Sequence, residues 1–276
     1  MRIGAHMSIS GGLAKMAQRA ASSGCQTIQI FSRSPRGGKA RLLPPGEVSE
    51  MKRILGEADI RPLVVHTPYT MNLAATKQEM QEYTVGLLAD DIQRTAELGA
   101  AYLVTHVGNY GQGSREEGLN RAALNLQRAL EQADVSNVIL LLENTAGAGT
   151  ELGSTLEELL YLVELVHGHQ VGLCIDTCHA FAAGWDLTRP GAVRELVTES
   201  DLVRLIHVSD SRYPRGSRRD RHANIGEGHL GTDFFRQLLE ESGPLPLILE
   251  TPAEGRLKDL ALLRRWQGEI GRPVQE

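Results

Sequence analysis

Short runs of Val, Ile and Leu recur along the chain, each followed by a polar stretch with helical spacing. The runs are Ile3–His6, Thr27–Phe31, Leu63–His66, Tyr102–His106, Val138–Glu143, Val171–Asp176, Leu202–His207 and Leu245–Glu250. They are nearly continuous in apolar residues, which is the pattern of strands buried on both faces. The segments between them read as helices. Leu13, Met16, Ala17 and Ala20 repeat at i, i+3, i+4 and i+7. Thr76–Leu98 predicts a long amphipathic helix stopped by Gly99. Ser154-Thr155-Leu156-Glu157 reads as a capping box, and Pro190 as a first-turn residue ahead of Val193, Leu196 and Val197. A last helix runs through Leu257, Leu260, Leu263 and Trp266. Strand then helix, eight times over about 250 residues, predicts an α/β fold of the (β/α)8 TIM-barrel type, with residues 1–276 as a single domain.

Six of the runs close on a potential ligand: His66, His106, Glu143, Asp176, His207 and Glu250. An open sheet would spread such residues over roughly 35 Å, at about 4.8 Å per strand. In a barrel, the carboxyl ends of all strands meet at one mouth, so the pattern itself favours closure. Three more residues join them: His179, three positions after Asp176, and the Asp220-x-His222 pair. Five imidazoles and four carboxylates favour zinc or manganese over an iron–sulfur cluster. Nine donors exceed the needs of one tetrahedral ion and match two or three. Glu143 follows five apolar residues, and a carboxylate buried there is costly without a cation partner. His6 is left open between a role beside the metal ligands and a core role. His229 reads as a solvated loop residue, and His167 and His169 as structural residues at a helix end.

An apolar fraction of 41% and a charged fraction of 23% are ordinary for a globular protein. No apolar run approaches the ~18 residues of a membrane span. The N-terminus reads straight into a strand, so a cytoplasmic location is expected. Cys25, Cys174 and Cys178 are odd in number and lack CxxC spacing, and are expected to be reduced and buried. The net charge of −5 argues only weakly against a nucleic-acid partner, since three divalent ions (+6) would turn it to +1. Two basic segments follow strands: Arg33, Arg36, Lys39 and Arg41, then Arg212, Arg215, Arg218, Arg219 and Arg221. They read either as solvated loops or as phosphate clamps, which position DNA without reading its sequence. Tyr69, three residues after His66, could bear on a phosphate or sugar.

Several segments together resemble one family. They are Val171–Gly184, with Cys174-Ile175-Asp176-Thr177-Cys178-His179 at its centre, Leu142-Glu143-Asn144-Thr145-Ala146-Gly147, and Gly216–His222 followed by Gly226-Glu227-Gly228. The opening Gly4-Ala5-His6-Met7-Ser8 also fits. This is similar to endonuclease IV, the zinc-dependent apurinic/apyrimidinic endonucleases, over essentially the whole chain. The resemblance implies a barrel with three zinc ions, with manganese as an alternative at one site. The first ion would take His66, His106 and Glu143. The second would share Glu143 and add Asp176, His207 and Glu250. The third would take His179, Asp220 and His222. The implied reaction is hydrolysis of the phosphodiester 5′ to an abasic nucleotide in base excision repair, leaving a 3′-hydroxyl and a 5′-deoxyribose phosphate. Glu143 would be the catalytic residue that orients the nucleophile. The implied partner is double-stranded DNA met by Arg36, Tyr69, Arg218, Arg219 and Arg221, with no membrane involved and the chain acting as a monomer. An abasic nucleotide is cheap to extrude, having no base to unstack. The chain departs from the family's habit at Val107-Gly108-Asn109, at Ser209-Asp210 and in the loop Ser32–Gly38, which lacks the usual Asn and Trp.

The alternative is a metal-dependent sugar isomerase or epimerase on the related xylose-isomerase-like barrel. Such an enzyme would use Glu143, Asp176, His207 and Glu250 with one or two ions. It would have no use for His66, His106, His179, Asp220 and His222 together, nor for the arginine-rich loop. A damage-binding module without activity would be expected to have lost a ligand, and none is missing.

Overall fold

The structure, a computed structural model, describes residues 1–167, 170–199 and 201–270. His169 and the last residues of the expected 1–276 domain lie outside the described residues. The strands are β1 (Arg2–His6), β2 (Ile28–Phe31), β3 (Leu63–His66), β4 (Tyr102–His106), β5 (Ile139–Glu143), β6 (Val171–Asp176), β7 (Val203–Val208), β8 (Asp210–Ser211), β9 (His222–Ala223) and β10 (Pro246–Leu249). The helices are α1 (Leu13–Ser22), α2 (Pro45–Glu57), α3 (Gln78–Leu98), α4 (Arg115–Ala133), α5 (Leu156–Leu165), α6 (Thr177–Ala183), α7 (Ala192–Glu199), α8 (Gly231–Glu241) and α9 (Arg256–Ile270). Eight strands close a barrel in the order β1-β10-β7-β6-β5-β4-β3-β2, and β8 and β9 form a separate antiparallel pair. All pairings in the barrel are parallel.

The apolar runs are continuous because both faces of each strand are covered. One face packs against the helices. The other points into the barrel, where Val64, Val104, Leu141, Cys174, Leu205 and Ile248 form a separate, fully buried cluster. Each of these six lies two residues before one of the six strand-end donors. Side chains alternate along a strand with period 2, so plug residue and donor share the inward face. The donors therefore sit as a layer directly above an apolar plug.

Boundaries differ from the sequence reading in instructive places. β7 runs one residue past His207, and Glu250 lies one residue beyond β10. The N-cap of α5 is Thr155, whose side chain accepts the Glu158 amide, so the predicted box is shifted by one. Ser154 is drawn elsewhere: its hydroxyl accepts from Arg115 at 2.8 Å. A full capping box occurs instead at Ser114 and Glu117 on α4. Pro190 lies just ahead of α7 rather than within its first turn. Gly99 ends α3 as predicted, in the left-handed region at φ 70°. Cys25, Cys174 and Cys178 are free and buried.

Gly4 shows how tightly the barrel closes. A Cβ there would lie 1.6 Å from the carbonyl oxygen of Thr27, so β1 could not keep its place beside the β2 segment. Gly4→Ala is expected to lower stability by about 1–3 kcal/mol or more through this overpacking. A urea midpoint equal to that of the unmodified chain would show that the two segments can separate without cost.

Candidate metal centre

The nine donors predicted from the sequence meet at the carboxyl end of the barrel. Four are the last residues of their strands: His66 on β3, His106 on β4, Glu143 on β5 and Asp176 on β6. His207 and Glu250 come from β7 and the end of β10. Asp176 also caps α6, its Oδ1 accepting the His179 amide at 2.8 Å. That turn swings His179 back over the mouth. His222 enters on β9, beside Asp220 in the preceding loop.

Glu143 is the centre of the arrangement and has no exposed surface. Its Oε2 lies 2.9 Å from His66 Nε2 and 3.4 Å from His106 Nε2. Its Oε1 lies 3.0 Å from His207 Nδ1. The two oxygens of one carboxylate thus serve two donor sets. The first holds His66, His106 and Glu143, and the second Glu143, Asp176, His207 and Glu250; within each set, donor atoms lie within 4.8 Å of one another. A third group forms where His179 Nε2 and His222 Nε2 each lie 3.3 Å from Asp220 Oδ1 and 3.3 Å from each other. Asp176 also approaches this group, with Oδ2 3.8 Å from His222 Nε2. The thiol of Cys178 lies within 4.8 Å of the Asp220 and His222 donors, and burial pushes its pKa up to about 12.

The imidazoles are held from behind. His66 Nδ1 donates to the Thr67 carbonyl at 2.7 Å, His179 Nδ1 to the Asn144 carbonyl at 3.0 Å, and His222 Nδ1 to the Glu250 carbonyl at 2.9 Å. A carbonyl can only accept, so each far nitrogen carries a hydrogen, and in the neutral ring the near nitrogen presents a lone pair. His207 follows the same rule through Gln29, whose Oε1 faces its Nε2 at 2.8 Å. The amide nitrogen of Gln29 donates to Glu250 Oε1 at 2.5 Å and to His6 Nδ1 at 3.0 Å. His6 accordingly sits beside Glu250, on the wall of the cavity over the donors and outside the donor sets themselves.

This chemistry fits divalent cations. Asp176 Oδ2 is buried without a hydrogen-bond partner. His179 Nε2 and His222 Nε2 face each other and a carboxylate oxygen at 3.3 Å, an arrangement that needs a proton or a metal cation between the three atoms. Burial opposes the ionisation of Glu143, but His106 and His207 outweigh it and hold the carboxyl well below the usual range. Burial lowers His106 to about 4, keeping it neutral and able to coordinate. Burial also opposes charge on His179, yet Asp176 and Asp220 raise it well above the ordinary imidazole value. A metal ion would take over the charge balance that protons otherwise provide.

Above the donors is a cavity of about 330 Å³, walled by Phe31, Tyr69, Arg221 and Arg256 as well as by ligand histidines. Tyr69 is 68% exposed and makes an edge contact with Phe31 at 5.2 Å. The two basic segments divide. Arg33 is buried in ion pairs with Asp90 and Asp91, so it anchors its loop to α3 and cannot clamp a phosphate. Arg41 pairs with Glu47, and Arg215 with Asp186. Arg36 is exposed on the loop that Tyr69 holds through its amide, which donates to the Pro35 carbonyl at 3.0 Å. Arg218 and Arg219 are exposed on the loop between β8 and β9, with Arg219 4.8 Å from the ring centroid of Tyr213. His229 is exposed, as expected, and His167, read as a structural residue at a helix end, is exposed two residues beyond α5. Sequence reasoning passed over Gln29, Phe31 and Arg256. Gln29 left a trace, as a polar residue inside an apolar run.

Residues 17–268 match a family described as xylose isomerase-like TIM barrel. A probable endonuclease 4 of Moorella thermoacetica is 41% identical, covering 96% of this chain and 99% of the relative. The crystal structure of endonuclease IV from Thermus thermophilus superposes with a TM-score of 0.87 at 35% identity, covering 98% of this chain and 100% of that one. A D-tagatose 3-epimerase-like protein shares the fold, with a TM-score of 0.75 at 20% identity over 98% of each chain.

Gln29→Leu keeps the volume of the side chain and removes its amide bonds. Zinc affinity is expected to fall about 10–100-fold at the donor set containing His207 and Glu250. Chelator-competition titration reads this directly, and unchanged affinity would mean that Gln29 does not orient these ligands.

Proposed function

Because the chain belongs to the endonuclease IV family, within the xylose isomerase-like TIM barrels, we infer that it is an apurinic/apyrimidinic endonuclease that incises DNA at abasic sites. The finer reading is a zinc-dependent hydrolase of base excision repair. It cleaves the phosphodiester 5′ to the abasic nucleotide in duplex DNA. Water's oxygen bonds to phosphorus, the bond from phosphorus to the 3′ oxygen breaks, and that oxygen takes a proton. The products are a 3′-hydroxyl and a 5′-deoxyribose phosphate. The observation that carries this reading is Glu143, whose two carboxylate oxygens face two donor sets at 2.9 Å and 3.0 Å.

His66, His106 and Glu143 would hold one zinc, Glu143, Asp176, His207 and Glu250 a second, and His179, Asp220 and His222 a third. When bound, such ions supply Lewis acidity that polarises a phosphate and lowers the pKa of water. The remaining work falls to the chain. Four carboxylates among the nine donors (−4) and three dications (+6) leave a net charge of +2 facing a phosphodiester. Glu143, fixed between imidazoles, orients the attacking water. Arg221 and Arg256 on the cavity wall add positive charge where it builds on the phosphorus-bound oxygens. Phe31 and Tyr69 form one aromatic wall against which an extruded sugar can rest. Arg36, Arg218 and Arg219, exposed around the mouth-side loops, are suited to phosphates of the flanking duplex.

The isomerase reading is served by the second donor set alone. It leaves His66, His106, His179, Asp220 and His222 without a purpose, although they are placed as closely as the rest.

Purified protein is expected to nick a duplex carrying a synthetic abasic site without added magnesium and to contain close to three zinc ions per chain by elemental analysis. An intact duplex after full zinc loading would refute the nuclease assignment, and a content near one would favour the isomerase. Removing the metal with a strong chelator should abolish nicking, and zinc should restore it. Glu143→Ala should lower kcat/KM by at least about 10³-fold, since it removes a bridging donor and the orienting carboxylate together.

A further inference from the structure

Asp210 has no part in the nine donors and no exposed surface. Its carboxylate is nevertheless surrounded by main-chain donors. Oδ1 accepts the amides of Ser211 at 2.8 Å and Leu230 at 2.9 Å. Oδ2 accepts those of Gly226 and Gly228 at 3.1 Å each, and of Gly231 at 3.3 Å. One donor lies on the outgoing side of a long excursion from the barrel, and four lie on its returning side. Between them the chain carries the arginine-rich loop, Asp220 and His222.

The closure is built for contact at close range. A Cβ on Gly228 would lie 2.4 Å from the Ser211 carbonyl oxygen and 2.5 Å from Asp210 Oδ1, so only glycine lets the returning chain come this near. Asp210 and Ser211 pair with Ala223 and His222 in the β8–β9 ladder. The Arg212 amide donates to the Arg221 carbonyl at 2.9 Å, and the His229 amide to the Ser211 carbonyl at 2.8 Å. His179, by contrast, stands on α6, which is attached directly to β6. The third donor set thus takes one donor from beside the barrel and two from the excursion. These meet at 3.3 Å only if the excursion is held in place.

We propose that Asp210 is the positioning residue of the third donor set, holding Asp220 and His222 against His179 by clamping both ends of the excursion to one buried carboxylate. This rests on the three-cation reading above. The first and second sets draw on the ends of barrel strands, and the excursion meets the second only at the Glu250 main-chain carbonyl and the edge of Asp176, so they keep their own supports without the clamp.

The test compares the unmodified chain with Asp210→Asn and Gly228→Ala, each loaded with zinc. Asparagine keeps the shape but turns one acceptor into a donor facing amide hydrogens. Gly228→Ala leaves the carboxylate intact and blocks the approach instead. Native mass spectrometry and chelator competition should show three ions in the unmodified chain. In both variants, two ions should be retained and one weakened about 10–100-fold, the size expected when support behind a ligand is lost. Hydrogen exchange should quicken across residues 211–231 while the barrel strands keep their protection. Three ions at unchanged affinity in both variants would overturn the inference, as would parallel loss of all three with a fall in Tm, which would make Asp210 a general structural residue. An unmodified chain holding a single ion would overturn the three-cation reading first, and the inference with it.

Discussion

A carboxylate with no exposed surface, Glu143, sets the terms for everything around it. Burying an ionised carboxyl is expensive unless it is compensated. Compensation comes from His66, His106, His179 and His207, on β3, β4, α6 and β7, each within 3.4 Å of one of its oxygens. His66 in turn is fixed by a carbonyl on its far side and His207 by Gln29, while His179 turns Nδ1 to both Glu143 and the Asn144 carbonyl. The arrangement is therefore nested: a carboxylate gathers histidines, and groups behind them hold the rings to the angle at which a cation can be shared. Few other folds bring so many strand ends to one point, which is why the barrel and the donor set imply each other.

The inner face of the barrel does two jobs in succession. Val64, Val104, Leu141, Cys174, Leu205 and Ile248 fill the interior, and two residues further along each strand the same face becomes polar. The change from plug to donors occurs over a single layer. The dry floor keeps water from approaching the donors from below, so electrostatic attraction within the cluster stays strong. Solvent and substrate can reach it only from the cavity above, where Tyr69, Arg221 and Arg256 stand.

Much of this was legible in the sequence, for reasons that can be named. The barrel was readable because two-sided burial writes strands as continuous apolar runs, and the six strand-end donors because a polar residue ending such a run stands out. His179, Asp220 and His222 were legible as members of a set but not as to geometry, since a short helix and a two-stranded ladder deliver them. Gln29 went unnoticed because it interrupts a run rather than ending it. Arg33 misled: composition shows a basic loop, while only the fold reveals Asp90 and Asp91 on the neighbouring helix. The shift of the cap from Ser154 to Thr155 has a similar cause, because Arg115 on another helix claims the Ser154 hydroxyl. Asp210 drew notice only as part of the pair Ser209-Asp210, and its role was not legible, since all but one of the amides that surround it arrive from sixteen or more residues away.

The order of the strands has a bearing on synthesis. His66, His106 and Glu143 stand on the adjacent strands β3, β4 and β5, so this trio is encoded within a little over the first half of the chain. Glu250 comes from the final strand, which seals the cylinder by pairing with both β1 and β7. Until that strand arrives, one oxygen of Glu143 faces an incomplete set. The second donor set must wait for the seam to close, so its completed geometry certifies that the ring has been finished.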